Sequence, residues 1–238
     1  MPFYRETVHK VVLERALSKL GIASRKETLR WILEERLSVN GKIIKDPMKL
    51  VTPEKDIFAL DGKKLHAAKP ILLLFHKPKG YITTRKDEKG RKTFYDLLPL
   101  TYQHLHSVGR LDMHTTGLLL LTSDTQLSSY LTDPNNAIPR VYILSVKGKV
   151  TEEEVTLLET GIQDEGELLK AKKLILRKVS NRESHLIITL LEGKNREIRR
   201  LFLAIGHEVL TLKRISFGPW ELGDLEPGHW KEVSPSIS

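Results

Sequence analysis

The sequence predicts an α+β protein in two parts, a small α/β module followed by a larger domain, and three observations carry that expectation. Residues 1–62 hold two segments with helical spacing and then an Asn-Gly pair between short strand-like runs. The stretch from Asp61 to Pro70 has few large apolar side chains and ends in proline, the texture of a linker. From Ile71 onward, strand-like runs alternate with helix-like ones, which implies a second and larger core. The expected boundaries are therefore 1–62 for the first domain, 63–70 for the linker and 71–238 for the second domain.

Composition narrows the class. The chain has 238 residues, 40% hydrophobic and 29% charged, which suits a globular protein and excludes disorder along its whole length. The longest apolar runs, Ile71–Phe75 and Gly117–Leu121, fall far short of the roughly 20 residues of a membrane-spanning helix. No apolar stretch follows a basic start at the N-terminus, so no signal peptide is expected. There are no cysteines, which excludes a disulfide scaffold, a zinc ribbon and a thiol nucleophile. A cytoplasmic protein is expected. Lys and Arg outnumber Asp and Glu by 39 to 30, and the pI is about 9.6. Two thirds of the excess lies in residues 1–69, where 15 basic residues face 9 acidic ones. Such a balance points to a polyanionic partner, most simply nucleic acid.

In the first domain, Val12, Leu13, Ala16, Leu17 and Leu20 recur at helical spacing, and Gly21 follows as a stop. Ser24 stands three residues before Glu27, a capping box opening a second helix. That helix should turn Leu29, Ile32 and Leu33 inward and Arg25, Lys26, Arg30 and Arg36 outward. Asn40-Gly41 then predicts a hairpin, because both residues tolerate positive φ. Pro53 and Asp56–Leu60 predict a further turn and strand. Through Gly21–Glu27, Val39-Asn40-Gly41 and Asp56-Ile57-Phe58, residues 11–60 resemble the S4 RNA-binding domain. That resemblance implies RNA contacts at Arg25, Lys26, Arg30 and Lys42.

In the second domain, Ile71–Phe75 suits a buried strand. It runs into a basic loop, with seven Lys/Arg and two Asp/Glu between His76 and Lys92, where Lys77 and Lys79 could contact an RNA backbone. Leu118–Leu121 is apolar on both faces and predicts a central strand, preceded by a turn of Thr115, Thr116 and Gly117. Arg110 and Asp112 then lie on a loop at the mouth of the sheet. On spacing alone the commoner reading of Asp112 is a turn aspartate bonded to its own backbone. Ser123 or Asp124 can cap a helix over Thr125–Leu131. Arg140–Val146 predicts a strand with Tyr142 on the face opposite Val141 and Ile143. Leu186–Leu191 predicts another, followed by a helix from Arg196 that ends at Gly206. Ile198, Leu201, Phe202 and Ile205 form its apolar stripe, and Arg196, Arg199 and Arg200, at i, i+3 and i+4, share a second face.

The string from Gly109 to Leu121, Gly-Arg-Leu-Asp followed by Thr-Thr-Gly-Leu-Leu-Leu-Leu, resembles the catalytic motif of the pseudouridine synthases. The chain is closest to the RsuA-type branch, in which an S4 domain precedes the catalytic domain and ribosomal RNA is modified. The resemblance covers nearly the whole chain. It implies a mixed, mostly antiparallel sheet with the active site in a cleft across it. It makes Asp112 the catalytic carboxylate and assigns Arg110 to the stack left by the flipped uridine. Tyr142 packs on the target base, with Arg140 where a lysine is usual. Arg199 pairs with Asp112, though a shift of one residue would put Arg200 there instead. Arg140, Lys194, Arg196 and Arg200 would meet RNA. Gly193–Arg200 leans toward the large-subunit enzymes.

The implied reaction isomerises uridine to pseudouridine within ribosomal RNA, with Asp112 acting as nucleophile or base and Arg199 favouring its ionised form. No cofactor and no metal are expected. His104 and His106 have no carboxylate partner at helix spacing. A monomer with ribosomal RNA as partner and no membrane contact is expected. The alternative is a non-catalytic S4-domain RNA-binding protein acting in ribosome assembly. A glycosidase would need a second carboxylate beside Asp112, and Asp124 stands across a strand from it.

Overall fold

The computed structural model describes residues 10–67 and 69–235. The chain divides into two compact units, the first running to Ile71 and taking in Ser123–Gln126 as well, the second holding the rest from Leu72 onward. No helix among the described residues is long and apolar enough to cross a membrane.

In the first unit β1 (Val11–Val12) leads into α1 (Leu13–Lys19), which Gly21 ends at φ +65°. α2 (Arg25–Leu33) opens on the expected capping box. The Ser24 hydroxyl accepts the Glu27 N–H at 3.2 Å, and the Glu27 carboxylate accepts the Ser24 N–H at 3.0 Å. β2 (Leu37–Val39) and β3 (Lys42–Ile43) form the Asn-Gly hairpin, with φ +51° at Asn40 and +79° at Gly41. β4 (Leu50–Val51) pairs with β1, and β5 (Phe58–Leu60) pairs with β2. Leu13, Leu17, Ile32, Leu37 and Phe58 form the core.

Two expectations change here. Lys63 and Lys64 are β6, the edge strand of a β3-β2-β5-β6 sheet, and Leu65 packs on the core, so the first domain runs through the start of the expected linker. In α2, Leu29 and Leu33 stand 36% and 69% exposed, while Thr28 and Ile32 are buried. Strands of two or three residues offer α2 only a narrow surface, and one i, i+4 stripe fills it.

The second unit is built on a nine-stranded sheet. Its strands are β7 (Leu72–Lys77), β8 (His106–Val108), β9 (Thr116–Thr122) and, after α3 (Thr125–Thr132), β10 (Arg140–Lys147). α4 (Glu152–Thr160) and a separate hairpin of β11 (Ile162–Asp164) and β12 (Glu167–Leu169) follow. β13 (Lys173–Val179), β14 (Glu183–Leu190), α5 (Glu197–Ala204), β15 (Val209–Phe217), β16 (Trp220–Glu221) and β17 (Trp230–Val233) complete the unit. The order is β13-β14-β10-β15-β9-β7-β17, with β16 on β15 and β8 on β9. Every pair is antiparallel except β15 with β9. The sheet is thus mixed and mostly antiparallel. Leu72, Leu74, Leu118 and Leu120 pack with Leu127, Leu131, Phe217 and Trp220 in the main core.

β7 carries on through His76 and Lys77, all of it buried, so the basic loop starts only after Lys77. Thr116 and Gly117 belong to β9 rather than to the turn before it. Gly117, at φ +106°, lies where the backbone of Arg214 on β15 comes within 2.6 Å of an added Cβ. Only a residue without a side chain lets the two strands approach so closely.

Candidate active site

The loop from β8 to β9 carries Arg110 and Asp112, and several anchors hold it, among them the Gly80 N–H, which donates to the Met113 carbonyl at 2.8 Å. The Thr115 N–H donates to the Asp112 carbonyl at 3.0 Å. The Thr83 hydroxyl donates to the Leu111 carbonyl at 2.7 Å and accepts its N–H at 3.2 Å. Lys77 Nζ donates to the carbonyls of Pro78, Asp112 and Thr115 at 3.1, 3.0 and 2.9 Å. Lys77, expected on RNA, is wholly buried instead. Burial pushes its ammonium down to about 8, and the charge of Asp112 acts the other way. Its charge serves the loop. Asp112 is thereby more than a turn aspartate: its carbonyl makes the turn, and its carboxylate, 40% exposed, faces Arg196 Nη1 at 3.9 Å.

The three arginines of the α5 string do not share a face. Arg196 is the N-cap, left-handed at φ +49°, so helical spacing does not apply to it. Arg199 donates to the Val209 carbonyl at 3.0 Å. Burial lowers its pKa, Arg196 adds repulsion, and the charge of Asp112 acts the other way. Arg200 turns to the β11–β12 hairpin, where Nε meets Asp164 at 2.5 Å and Nη1 meets Glu167 at 2.7 Å. Those acids already occupy Arg200, against the expectation of an RNA contact. Arg196 and Arg199 both act on Asp112 through their charge.

Arg140 is corrected in the same way. It is buried, donates to the carbonyls of Ile138, Leu191 and Leu131 at 2.9–3.0 Å, and stacks on Phe217 at 4.8 Å. Lys194 is held by Glu192 at 2.6 Å and by the Leu168 carbonyl at 2.7 Å rather than reaching outward. Lys79 and Arg110 are exposed, as are Arg25, Lys26, Arg30 and Lys42 in the first unit.

Behind Asp112 lies a cavity of about 320 Å³ walled by the Gly109–Asp112 loop, the start of α5, and side chains of β10 and β15. Tyr142 lines it, nearly buried, and stands directly across the strand pair from Arg214. Glu197 and Arg214 line it too, and neither was found from the sequence. Glu197 reads there as one acid in a basic string, and Arg214 as one charge in a strand. Only the fold shows that both are buried.

Glu197 is 3% exposed; Oε2 accepts the Lys194 N–H at 3.1 Å, and Oε1 has no partner among the described residues. Burial pushes its carboxyl up to about 7. A folded-state pKa above the unfolded one gives stability that is present below the ordinary carboxylate range and lost as pH rises through about 7. Glu197→Gln, which keeps an acceptor for Lys194, should therefore match the wild type near pH 4. Above pH 8 it should be more stable by about 3 kcal/mol. Urea unfolding at both pH values checks this, and an equal gain at both would show that the charge is not what burial opposes.

Known proteins resemble this chain over both of its units. A family model for RNA pseudouridylate synthase matches residues 71–204, and a model for the S4 domain matches residues 13–57. The chain is 36% identical over 225 residues to a protein of Bacillus subtilis named ribosomal large subunit pseudouridine synthase B, covering 94% of this chain and 92% of that one. It is 35% identical over 226 residues to an uncharacterized RNA pseudouridine synthase of Aquifex aeolicus, covering 94% and 91%. A solved structure described as a pseudouridylate synthase superposes with a TM-score of 0.66 at 25% identity, covering 94% of this chain and 96% of its own.

Proposed function

The chain belongs to the RNA pseudouridylate synthase family, and on that premise we propose that it converts a uridine of large-subunit ribosomal RNA to pseudouridine, with Asp112 as the catalytic carboxylate. One observation carries the assignment of Asp112. Its carboxylate stands on a loop locked by Lys77 and Thr83, at a cavity lined by Tyr142 and faced by Arg196. The name of the Bacillus relative supports the large subunit as the source of the RNA.

A uridine inside structured RNA must leave its stack to reach this cavity, at a cost of a few kcal/mol. Exposed Arg110, two residues from Asp112, can fill the space it leaves. Tyr142 offers the flipped uracil an aromatic face, worth roughly 1–3 kcal/mol. Asp112 then acts on the sugar as nucleophile or base. The N1–C1′ bond breaks, the uracil turns, C5 bonds to C1′, and the proton lost from C5 ends on N1. Atoms and electrons balance without an oxidant or a co-reactant. Arg196 and Arg199 set positive charge beside the carboxylate that starts the reaction. In this reading the protein acts as a monomer in the cytoplasm, with the ribosomal RNA.

The test is twofold. RNA carrying 5-tritiated uridine should release tritium on incubation with the protein. Ribosomal RNA from a strain lacking the gene should lack one pseudouridine, and an unchanged map would reject the substrate. The S4 unit is the proposed anchor. Glutamate at Arg25, Lys26 and Arg30 together should weaken RNA binding at least tenfold and flatten the rise of log Kd with log salt by two or three units, one for each lost phosphate contact. An unchanged slope in filter binding would remove these three side chains from the interface.

A further inference from the structure

We propose that Arg214 is a further catalytic residue: it donates a hydrogen bond to a carbonyl oxygen of the flipped uracil and holds the negative charge on that ring while it is detached from the sugar. The inference rests on the reading of the cavity as the uridine site.

Three buried cations surround this site, and they differ in one respect. Lys77 gives its protons to three carbonyls, and so does Arg140. Arg214 is as deeply buried, 2% exposed, but makes one hydrogen bond, from Nε to the Leu118 carbonyl at 2.7 Å. Its Nη2 is fully enclosed and finds no acceptor among the described residues. No carboxylate pairs with it among them either. Its remaining support is the ring of Phe217 at 4.9 Å, which already carries Arg140 at 4.8 Å, and the ring of Tyr142 at 6.0 Å. A buried guanidinium with an empty donor and no counter-charge costs stability. Such a group is of use where an acceptor or a negative charge arrives later.

The fold fixes where that acceptor must come. Arg214 and Tyr142 face each other across β15 and β10, and both line the cavity. On its other side Arg214 is clamped to Gly117 of β9. A base resting on Tyr142 would therefore meet a guanidinium that cannot retreat; because Nη2 is enclosed, the donor left to meet it is Nη1, which has no hydrogen-bond partner among the described residues. Uracil presents two acceptors, O2 and O4. When the N1–C1′ bond breaks, its electron pair passes to the ring and spreads over N1, O2 and O4. When C5 bonds to C1′ and N1 takes up the proton, the charge is gone. A fixed cationic donor binds the charged stage more strongly than the neutral one, which is the condition for acceleration.

The experiment uses the full chain and a fragment of ribosomal RNA holding the target uridine, or 2-thiouridine or 4-thiouridine in its place, since sulfur is a poor acceptor. Arg214→Met should slow single-turnover pseudouridine formation about 100-fold with RNA affinity unchanged. The wild type should lose a similar factor on one of the two thio-RNAs, and Arg214→Met should be insensitive to that same replacement; which thio-RNA couples tells O2 from O4. If Arg214→Met does not fold, Arg214→Lys takes its place, and its loss on the coupled thio-RNA should be smaller than that of the wild type. Equal wild-type rates on all three RNAs overturn the proposal whatever the variants do, as does a loss of affinity in place of rate, the mark of a phosphate contact. Wild-type turnover of the uridine RNA is a separate reading. Its absence rejects the uridine site, whereas turnover without coupling rejects Arg214 alone.

Discussion

Asp112→Asn should reduce pseudouridine formation by several orders of magnitude while leaving the fold and RNA affinity in place. The substitution keeps the shape of the side chain and removes its charge, its basicity and its nucleophilicity. The fold should not notice, because the anchors of this loop use the backbone of Asp112: its carbonyl accepts from Lys77 and from the Thr115 N–H. The carboxylate itself is 40% exposed, with Arg196 at 3.9 Å. Removing an exposed negative charge from a basic surface should, if anything, tighten RNA binding slightly. Tritium release measures the first effect, and filter binding with urea unfolding the second. Substantial turnover by the asparagine variant would move the chemistry to another residue. Loss of folding would mean that the carboxylate is part of the scaffold.

Local chemistry was the legible part of this chain. The capping box at Ser24 and the hairpin at Asn40-Gly41 depend on residues three or fewer apart, and both stand as read. The family motif marked the Asp112 loop and the strand after it, because a resemblance over a run of residues does not depend on distant partners. The readings that failed concern charges whose partners lie far along the chain. Lys77 looked like the start of a basic loop, yet two of the carbonyls that hold it are 35 and 38 residues away. Arg200 looked like a phosphate contact, yet its acids stand on a hairpin 33 and 36 residues earlier. Periodicity placed Arg196 on a face with Arg199 and Arg200, but a left-handed N-cap lies outside the helix that sets that period. Sequence shows that a residue is charged. What neutralises it is a property of the packed sheet.

Gly117→Ala should be severely disruptive, costing about 4 kcal/mol or more. Two effects combine. The backbone of Gly117 sits at φ +106°, a region that alanine enters only with strain. The new methyl group would also run into the carbonyl of Arg214 and stand 2.6 Å from its amide nitrogen. Those are main-chain atoms of a central strand, so no side chain can swing aside. Relief has to come from parting β9 and β15, the one parallel pair in the sheet, which meets through Thr116 with Lys213 and Gly117 with Arg214. Any molecules that still fold would carry Arg214 and Tyr142 displaced from the Asp112 loop and should turn over poorly. Gly41→Ala separates the two effects: Gly41 has φ +79° and nothing within 4 Å of an added Cβ. It should therefore cost only about 1 kcal/mol, the backbone term alone. Urea unfolding of both variants reads the difference, and equal costs would show that β9 and β15 are not held together as tightly as their backbones indicate.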